Sequence, residues 1–191
     1  MQSFNMIKVA RKLLVDKVKL ANVIMDATCG NGFDTLFLAE NADANSKIFA
    51  FDIQSEAIKS SKILLAENKL SDKVTWICDN HINFEQYVSN KIDIVVLNLG
   101  YLPSGDKNCT TTATTTSILL EKLILNLNVG GVIAITAYPG HSEGQAENIK
   151  LREFLQKLSS KVFTVGIFKM LNHSDKAPVF YILEKVRSDF I

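Results

Sequence analysis

An apolar run at 23–25 ends on Asp26, and Ala27-Thr28-Cys29-Gly30-Asn31-Gly32 then places two glycines ahead of helical apolar spacing at 33–39. A buried strand, a glycine turn and a helix are therefore predicted in that order. Such a turn aims backbone N–H groups outward from the helix N-terminus, where an anionic group is favoured. Asp26 narrows the choice of ligand. It would repel the pyrophosphate of a dinucleotide, and Thr35 stands where the dinucleotide pattern has its third glycine. S-adenosylmethionine suits the turn better, because its ammonium can bond near Asp26 while its carboxylate meets the helix end.

Further β-type runs fall at 48–51, 74–77, 92–97, 132–137, 161–168 and 179–183, and helical patterns lie between them, most clearly at 54–68, 116–127 and 142–158. The alternation predicts an α/β fold, a mostly parallel sheet with helices on both faces. Only the short polar stretch 172–177 separates the last two runs, too little for a helical crossover. The final strand is therefore expected to be antiparallel. Ser142 and Gln145 have the spacing of a capping box at the start of the third helix.

With 191 residues, 47% hydrophobic and 21% charged, the chain is expected to form one domain over 1–191. A net charge of +1 means that a nucleic-acid partner must be held by a local patch. The candidate is N-terminal: Lys8, Arg11, Lys12, Lys17 and Lys19 interleave with Ile7, Val9, Leu13, Leu14 and Val18, as in an amphipathic helix with a basic outer face. A solvated face is the simpler reading, and contact with phosphates the alternative. Cys29, Cys78 and Cys109 are too few and too scattered for a disulfide framework or a zinc site, so reduced thiols in the cytoplasm are expected, with no metal. Charges throughout the N-terminus exclude a signal peptide or membrane span there.

Ligands of such sheets gather at the carboxyl ends of the strands. Asp52, with Ile53 and Gln54, ends the second run about twenty residues past the glycine turn, where an acid can accept from two ribose hydroxyls. Asp79-Asn80-His81 ends the third and could meet the adenine amine and ring nitrogens; for His81 a loop role serves equally well. Asn98-Leu99-Gly100-Tyr101 ends the fourth. It resembles the Asn-Pro-Pro-Tyr segment of enzymes that methylate amino nitrogens on nucleic-acid bases, with both prolines replaced. An asparagine oxygen and the next carbonyl can accept both hydrogens of a primary amine and leave its lone pair aimed at a sulfonium methyl. Tyr101 offers a face for an unstacked base. The threonine-rich 110–116 is expected to cap the following helix. Tyr138-Pro139-Gly140-His141 ends the fifth run, with His141 placed to take a proton from an amine.

Taken together, the chain resembles a small class I methyltransferase family, once labelled rRNA methylases and associated with methylation of 5-aminomethyl-2-thiouridine at the tRNA wobble position. The resemblance rests on residues 26–32 with Asp34-Thr35, on Phe51-Asp52-Ile53-Gln54, on His81, on Asn98-Leu99-Gly100-Tyr101-Leu102-Pro103 with Gly105-Asp106-Lys107, and on Tyr138-Pro139-Gly140-His141. Phe33 departs from it, standing where a polar or imidazole side chain is expected. It implies a Rossmann-like, seven-stranded sheet with an antiparallel last strand, S-adenosyl-L-methionine as methyl donor, and a tRNA anticodon loop as substrate; a homodimer is compatible with it. The cofactor contacts so expected are Asp26, Thr28, Cys29, Gly30, Asn31, Gly32, Asp34, Asp52, Ile53, Gln54, Asp79, Asn80, His81 and Asn98. Leu99, Tyr101, Tyr138 and His141 would meet the substrate, and Asn98, Tyr101 and His141 would serve the chemistry.

The expected step is an in-line attack of a neutral amine, with the proton taken by His141 or by water. Methylation of an exocyclic base amine in rRNA or DNA uses the same Asn98 geometry. A nicotinamide-dependent oxidoreductase is disfavoured by Asp26 and the missing glycine, and a non-catalytic RNA-binding protein by the polar strand ends.

Overall fold

The computed structural model describes residues 5–100 and 111–188. The chain opens with α1 (Met6–Leu20), whose first turn is closed by Asn5 accepting from the backbone N–H of Lys8 at 3.0 Å. Met6, Val9, Leu14 and Val18 form its buried stripe. There follow β1 (Val23–Asp26), α2 (Phe33–Asn41), β2 (Lys47–Asp52), α3 (Ser55–Glu67), β3 (Val74–Cys78), β4 (Ile92–Asn98), α4 (Ala113–Asn126), β5 (Leu127–Ala137), α5 (Ser142–Lys157), β6 (Phe163–Phe168) and β7 (Val179–Lys185).

The strands form one sheet in the order β3-β2-β1-β4-β5-β7-β6. Only β7 runs against the others, pairing antiparallel with both β5 and β6. The short 172–177 link forces this, as expected. Alternate residues of each strand enter two separate cores. Ile24, Ile48, Ile94 and Val132 pack with α1, α2 and α3 on one face, while Met25, Phe51, Val95 and Ile133 pack with α4 and α5 on the other. The chain runs β1, β2, β3 to one side and then returns to lay β4 against the far side of β1. That reversal opens a crevice at the carboxyl ends of β1 and β4.

Two element starts move by three residues or more, and one cap differs from the sequence expectation. β5 begins at Leu127 rather than 132, because Gly130-Gly131 bends the strand instead of ending it: Gly130 has φ 83° and the register shifts between Ile92 and Ile94. α4 begins at Ala113 rather than 116, since Thr112 and Thr115 cap it reciprocally. This is the role foreseen for the threonines. In α5 the capping-box reading fails. His141 is the N-cap, its Nδ1 accepting from the N–H of Gly144 at 3.1 Å, and a side chain at Gly144 would run into the Tyr138 carbonyl.

Candidate active site

A cleft of about 940 Å³ lies at the carboxyl ends of β1, β2, β4 and β5. Its cofactor half is built by backbone. The N–H of Cys29 donates to Phe51 O at 2.8 Å and that of Gly32 to Cys29 O at 2.7 Å. Asp52 braces the same turn: Oδ2 accepts from Gly30 N at 3.0 Å and Oδ1 from Gln54 N at 2.9 Å. Each oxygen keeps acceptor capacity for a ligand hydroxyl. Gly30 and Gly32 have φ of 52° and 85°, and a Cβ on Gly32 would come within 2.9 Å of the Ser61 Cα. Glycine there lets α3 close behind the turn, where the Ser61 hydroxyl donates to Gly30 O at 2.8 Å.

Asp26 does other work than expected. Its carboxylate is fully buried, lies off the cleft, and accepts from Thr35 Oγ1 at 2.6 Å and from Thr28 N at 3.2 Å. Thr35, the residue that replaces a third glycine, is what draws it inward. Burial, and then the neighbouring charge of Asp34, pushes its pKa to about 7. The glycine turn thus rests on a carboxyl beneath it, and Gly32 likewise shapes the turn without lining the cleft.

Burial, and next the charge of Asp26, also pushes the Cys29 thiol well above its ordinary range, so it stays a neutral thiol at the cleft wall. Asp79 is a second correction. It turns away from the cleft to accept from Asn80 N, Asn83 Nδ2 and Tyr87 Oη, the tyrosine bond doing most to hold its pKa down. Ile53, Asn80 and His81 do line the cleft. His81 donates from Nδ1 to Ala27 O at 3.0 Å, while its buried Nε2 has no partner among the described residues. Burial lowers its pKa, so the ring is neutral.

Long-range side-chain bonds build the other half. Asn98 N donates to Thr28 Oγ1 at 2.7 Å, tying β4 to the glycine turn. Asn98 Nδ2 donates to Asp34 Oδ2 at 2.8 Å, which assigns the amide nitrogen and leaves Oδ1 as the acceptor. Arg11 reaches from α1 to the same carboxylate, Nη2 lying 3.2 Å from Oδ1 and 2.8 Å from Phe33 O. Leu99, Tyr138 and His141 line the cleft beside them, with Lys176 across the mouth. Burial and the Asp34 charge raise the Tyr138 phenol, keeping it protonated. With Nδ1 accepting from Gly144, a neutral His141 carries its proton on Nε2. It is then a donor, and the expected role as proton acceptor does not fit this geometry. Tyr101 lies outside the described residues.

Sequence reasoning missed two groups. Arg11 was counted with the basic outer face, which also loses Lys17 to Glu184 at 2.8 Å and Lys19 to Asp16 at 3.1 Å. Glu147 was not singled out. It is 2% exposed and accepts from Thr111 Oγ1 at 2.9 Å and Thr116 Oγ1 at 2.6 Å, with burial raising its pKa. Thr111 Oγ1 in turn accepts from Gly100 N at 2.7 Å, so Glu147 braces Thr111 against the end of β4. A signal existed, because Glu147 shares the buried stripe of Gly144, Leu151 and Leu155.

Among the described residues no group of three or more His, Cys, Asp or Glu could hold a metal, and no helix is long and apolar enough to cross a membrane.

The family model described as "Putative rRNA methylase" matches residues 48–184. The chain belongs to that family. A tRNA (mnm(5)s(2)U34)-methyltransferase, chloroplastic, of Arabidopsis thaliana is 30% identical to it over 188 residues, 93% of this chain and 68% of that protein. The crystal structure of a "putative rRNA-methylase" from Clostridium thermocellum superposes with a TM-score of 0.91 at 36% identity, covering 97% of this chain and 100% of that one. A "putative methyltransferase" from Streptococcus mutans, in complex with SAH, gives 0.86 at 30% identity over 96% and 99%. This methylase therefore has the Rossmann-like methyltransferase fold that the family resemblance implied, on the mostly parallel sheet expected from its alternating pattern.

Proposed function

We propose that the methylase transfers a methyl group to the amine of 5-aminomethyl-2-thiouridine at the wobble position of tRNA, acting in the cytoplasm as one domain. S-adenosyl-L-methionine is the methyl donor. The cleft suits it: a glycine turn too tight for any Cβ at position 32 presents backbone to one end, and Asp52 presents free carboxylate lone pairs to the ribose. Thr28, Cys29, Gly30, Asn31, Ile53, Gln54, Asn80 and His81 would complete the contacts. Bound there, the cofactor supplies an electrophilic methyl on a sulfonium.

The observation that carries the reading is the Asn98 amide. Its nitrogen is committed to Asp34, so its oxygen is left to accept from an incoming amine. A primary amine held there and at the Leu99 carbonyl keeps its lone pair for attack, and most of the rate gain is positioning. An alkyl ammonium, with a pKa near ~10.4 by analogy with lysine, must first lose a proton. Since His141 Nδ1 is engaged, water takes that proton. Tyr101 would stack the flipped-out base from the anticodon loop.

The test is methylation by the purified protein of tRNA bearing the aminomethyl group and of the same tRNA lacking it, read by nucleoside mass spectrometry. The expected product is 5-methylaminomethyl-2-thiouridine in the modified tRNA alone. Equal methylation of both would assign an exocyclic base amine instead.

A further inference from the structure

Arg11 is drawn so far into the wall of the cleft that its Nε is buried without a partner among the described residues. That arrangement costs stability. What it gains is contact with Phe33 O and Asp34, and through Asp34 with Asn98. Its guanidinium also lies 5.2 Å from the Phe37 ring centroid, which fixes its approach. The chain Arg11 to Asp34 to Asn98 spans three elements, α1, α2 and β4, and ends at the proposed acceptor site.

We infer that Arg11 is a positioning residue for methyl transfer: it holds Asp34 so that the Asn98 amide points its oxygen at the acceptor, and it offsets the Asp34 charge so that the amine enters neutral. The inference rests on the amine-acceptor reading above. The electrostatic part follows from what faces the acceptor. Asp34 alone would favour the ammonium, which cannot attack; a paired Arg11 removes that bias. Among the described residues, the other charged or titratable groups on this part of the cleft are Tyr138 after β5, His141 at the head of α5 and Lys176 before β7, with Asp52, His81 and Cys29 at the cofactor end and Asp26 beneath the turn. Asp34 is the carboxylate in contact with Asn98, so its pairing decides the field at the amine.

The test uses Arg11→Met, which keeps an apolar stem against Phe37 without the charge, and Arg11→Lys. Single-turnover transfer to aminomethyl-bearing tRNA is measured from pH 6 to 10 at saturating cofactor. Arg11→Met is expected to slow transfer about tenfold near neutral pH and to move the rise in rate upward by about one pH unit, with S-adenosylmethionine affinity unchanged. Arg11→Lys should return the rise towards its original pH without restoring the full rate, because an ammonium lacks the planar fork. An unmoved pH profile in Arg11→Met overturns the inference. So does an Asn98 side-chain amide signal that is the same in the two SAH-bound proteins by nitrogen NMR, a readout that needs no tRNA. If the unmutated protein methylates no aminomethyl tRNA but Arg11→Met shifts that signal, the substrate reading has failed and the relay stands.

Discussion

The two halves of the cleft are held together by different means. On the cofactor side the bracing is backbone: Asp52 accepts from Gln54 N two residues on and from Gly30 N across one strand pair, and Cys29 N finds Phe51 O. On the acceptor side the working atoms are side chains from distant parts of the chain, with Arg11, Asp34 and Asn98 in one line and Gly100, Thr111, Thr116 and Glu147 in another. A backbone-built half tolerates change in side chains other than glycine and its braces. A side-chain-built half fails one link at a time.

The largest effect expected concerns the carboxyl under the cofactor half. Asp26 has its pKa raised from 3.8 to about 7, so the folded state favours its protonated form. The stability it contributes is complete below about pH 4 and is lost as pH rises through about 7. Asp26→Asn cannot titrate and can keep both bonds, accepting from Thr28 N and donating to Thr35 Oγ1. Each pKa unit is worth ~1.4 kcal/mol, so the variant should gain on the natural protein by up to about 4 kcal/mol between pH 4 and pH 8.5. Urea denaturation at those two pH values measures it, and a constant difference would mean that Asp26 stays ionised throughout.

Next in size is Asn98→Ala on the acceptor half. Single-turnover transfer at saturating cofactor should fall on the order of a hundredfold, the scale of a misplaced nucleophile, while calorimetric cofactor affinity stays within a factor of about two. Equal losses in both would place Asn98 on the cofactor side and erase the division between the halves.

That division also sets what the sequence could reveal. The glycine turn, Asp52 and the seven strands were legible because local periodicity and i to i+2 contacts decide them. The antiparallel entry of β7 followed from one short link. Asp26 was misjudged because its partner Thr35 lies nine residues on, in the first turn of α2, and spacing gives no sign of which way a carboxylate turns. Arg11 was misjudged for a related reason: a cation on an amphipathic helix reads as outward-facing, and only the packing of α1 against α2 puts Asp34 within its reach. His141 shows the same limit at closer range, since the close approach that a glycine at 144 permits, not the Ser142 spacing, makes it the cap.

On the cofactor half, Asp52→Ala should weaken S-adenosylmethionine binding more than tenfold, since a bond to a charged acceptor is worth roughly 1.5–3 kcal/mol. The variant also frees Gly30 N and Gln54 N, so an amide replacement is instructive: Asp52→Asn keeps one acceptor and should lie between the two. Calorimetry on folded protein decides. An Asp52→Ala affinity equal to that of the natural protein would move the ribose contact elsewhere in the turn.

The smallest effect belongs to the exposed lysines of α1 that flank Arg11. Lys8 and Lys12 are exposed there, and Lys17 and Lys19 pair with Glu184 and Asp16. Replacing Lys8 and Lys12 with alanine while keeping Arg11 separates the exposed lysines from the arginine in the cleft wall. If the outer face is solvated, tRNA affinity falls less than about threefold and the salt slope changes by no more than one phosphate contact, roughly 0.7–0.9 in log units. Filter binding between 50 and 200 mM salt reads both, because a lost contact flattens the slope whereas a lost fold lowers affinity at every salt. A drop worth two contacts would make this face an RNA-binding surface, and the acceptor half would then extend from Asn98, through Arg11, to the outside of the helix that carries it.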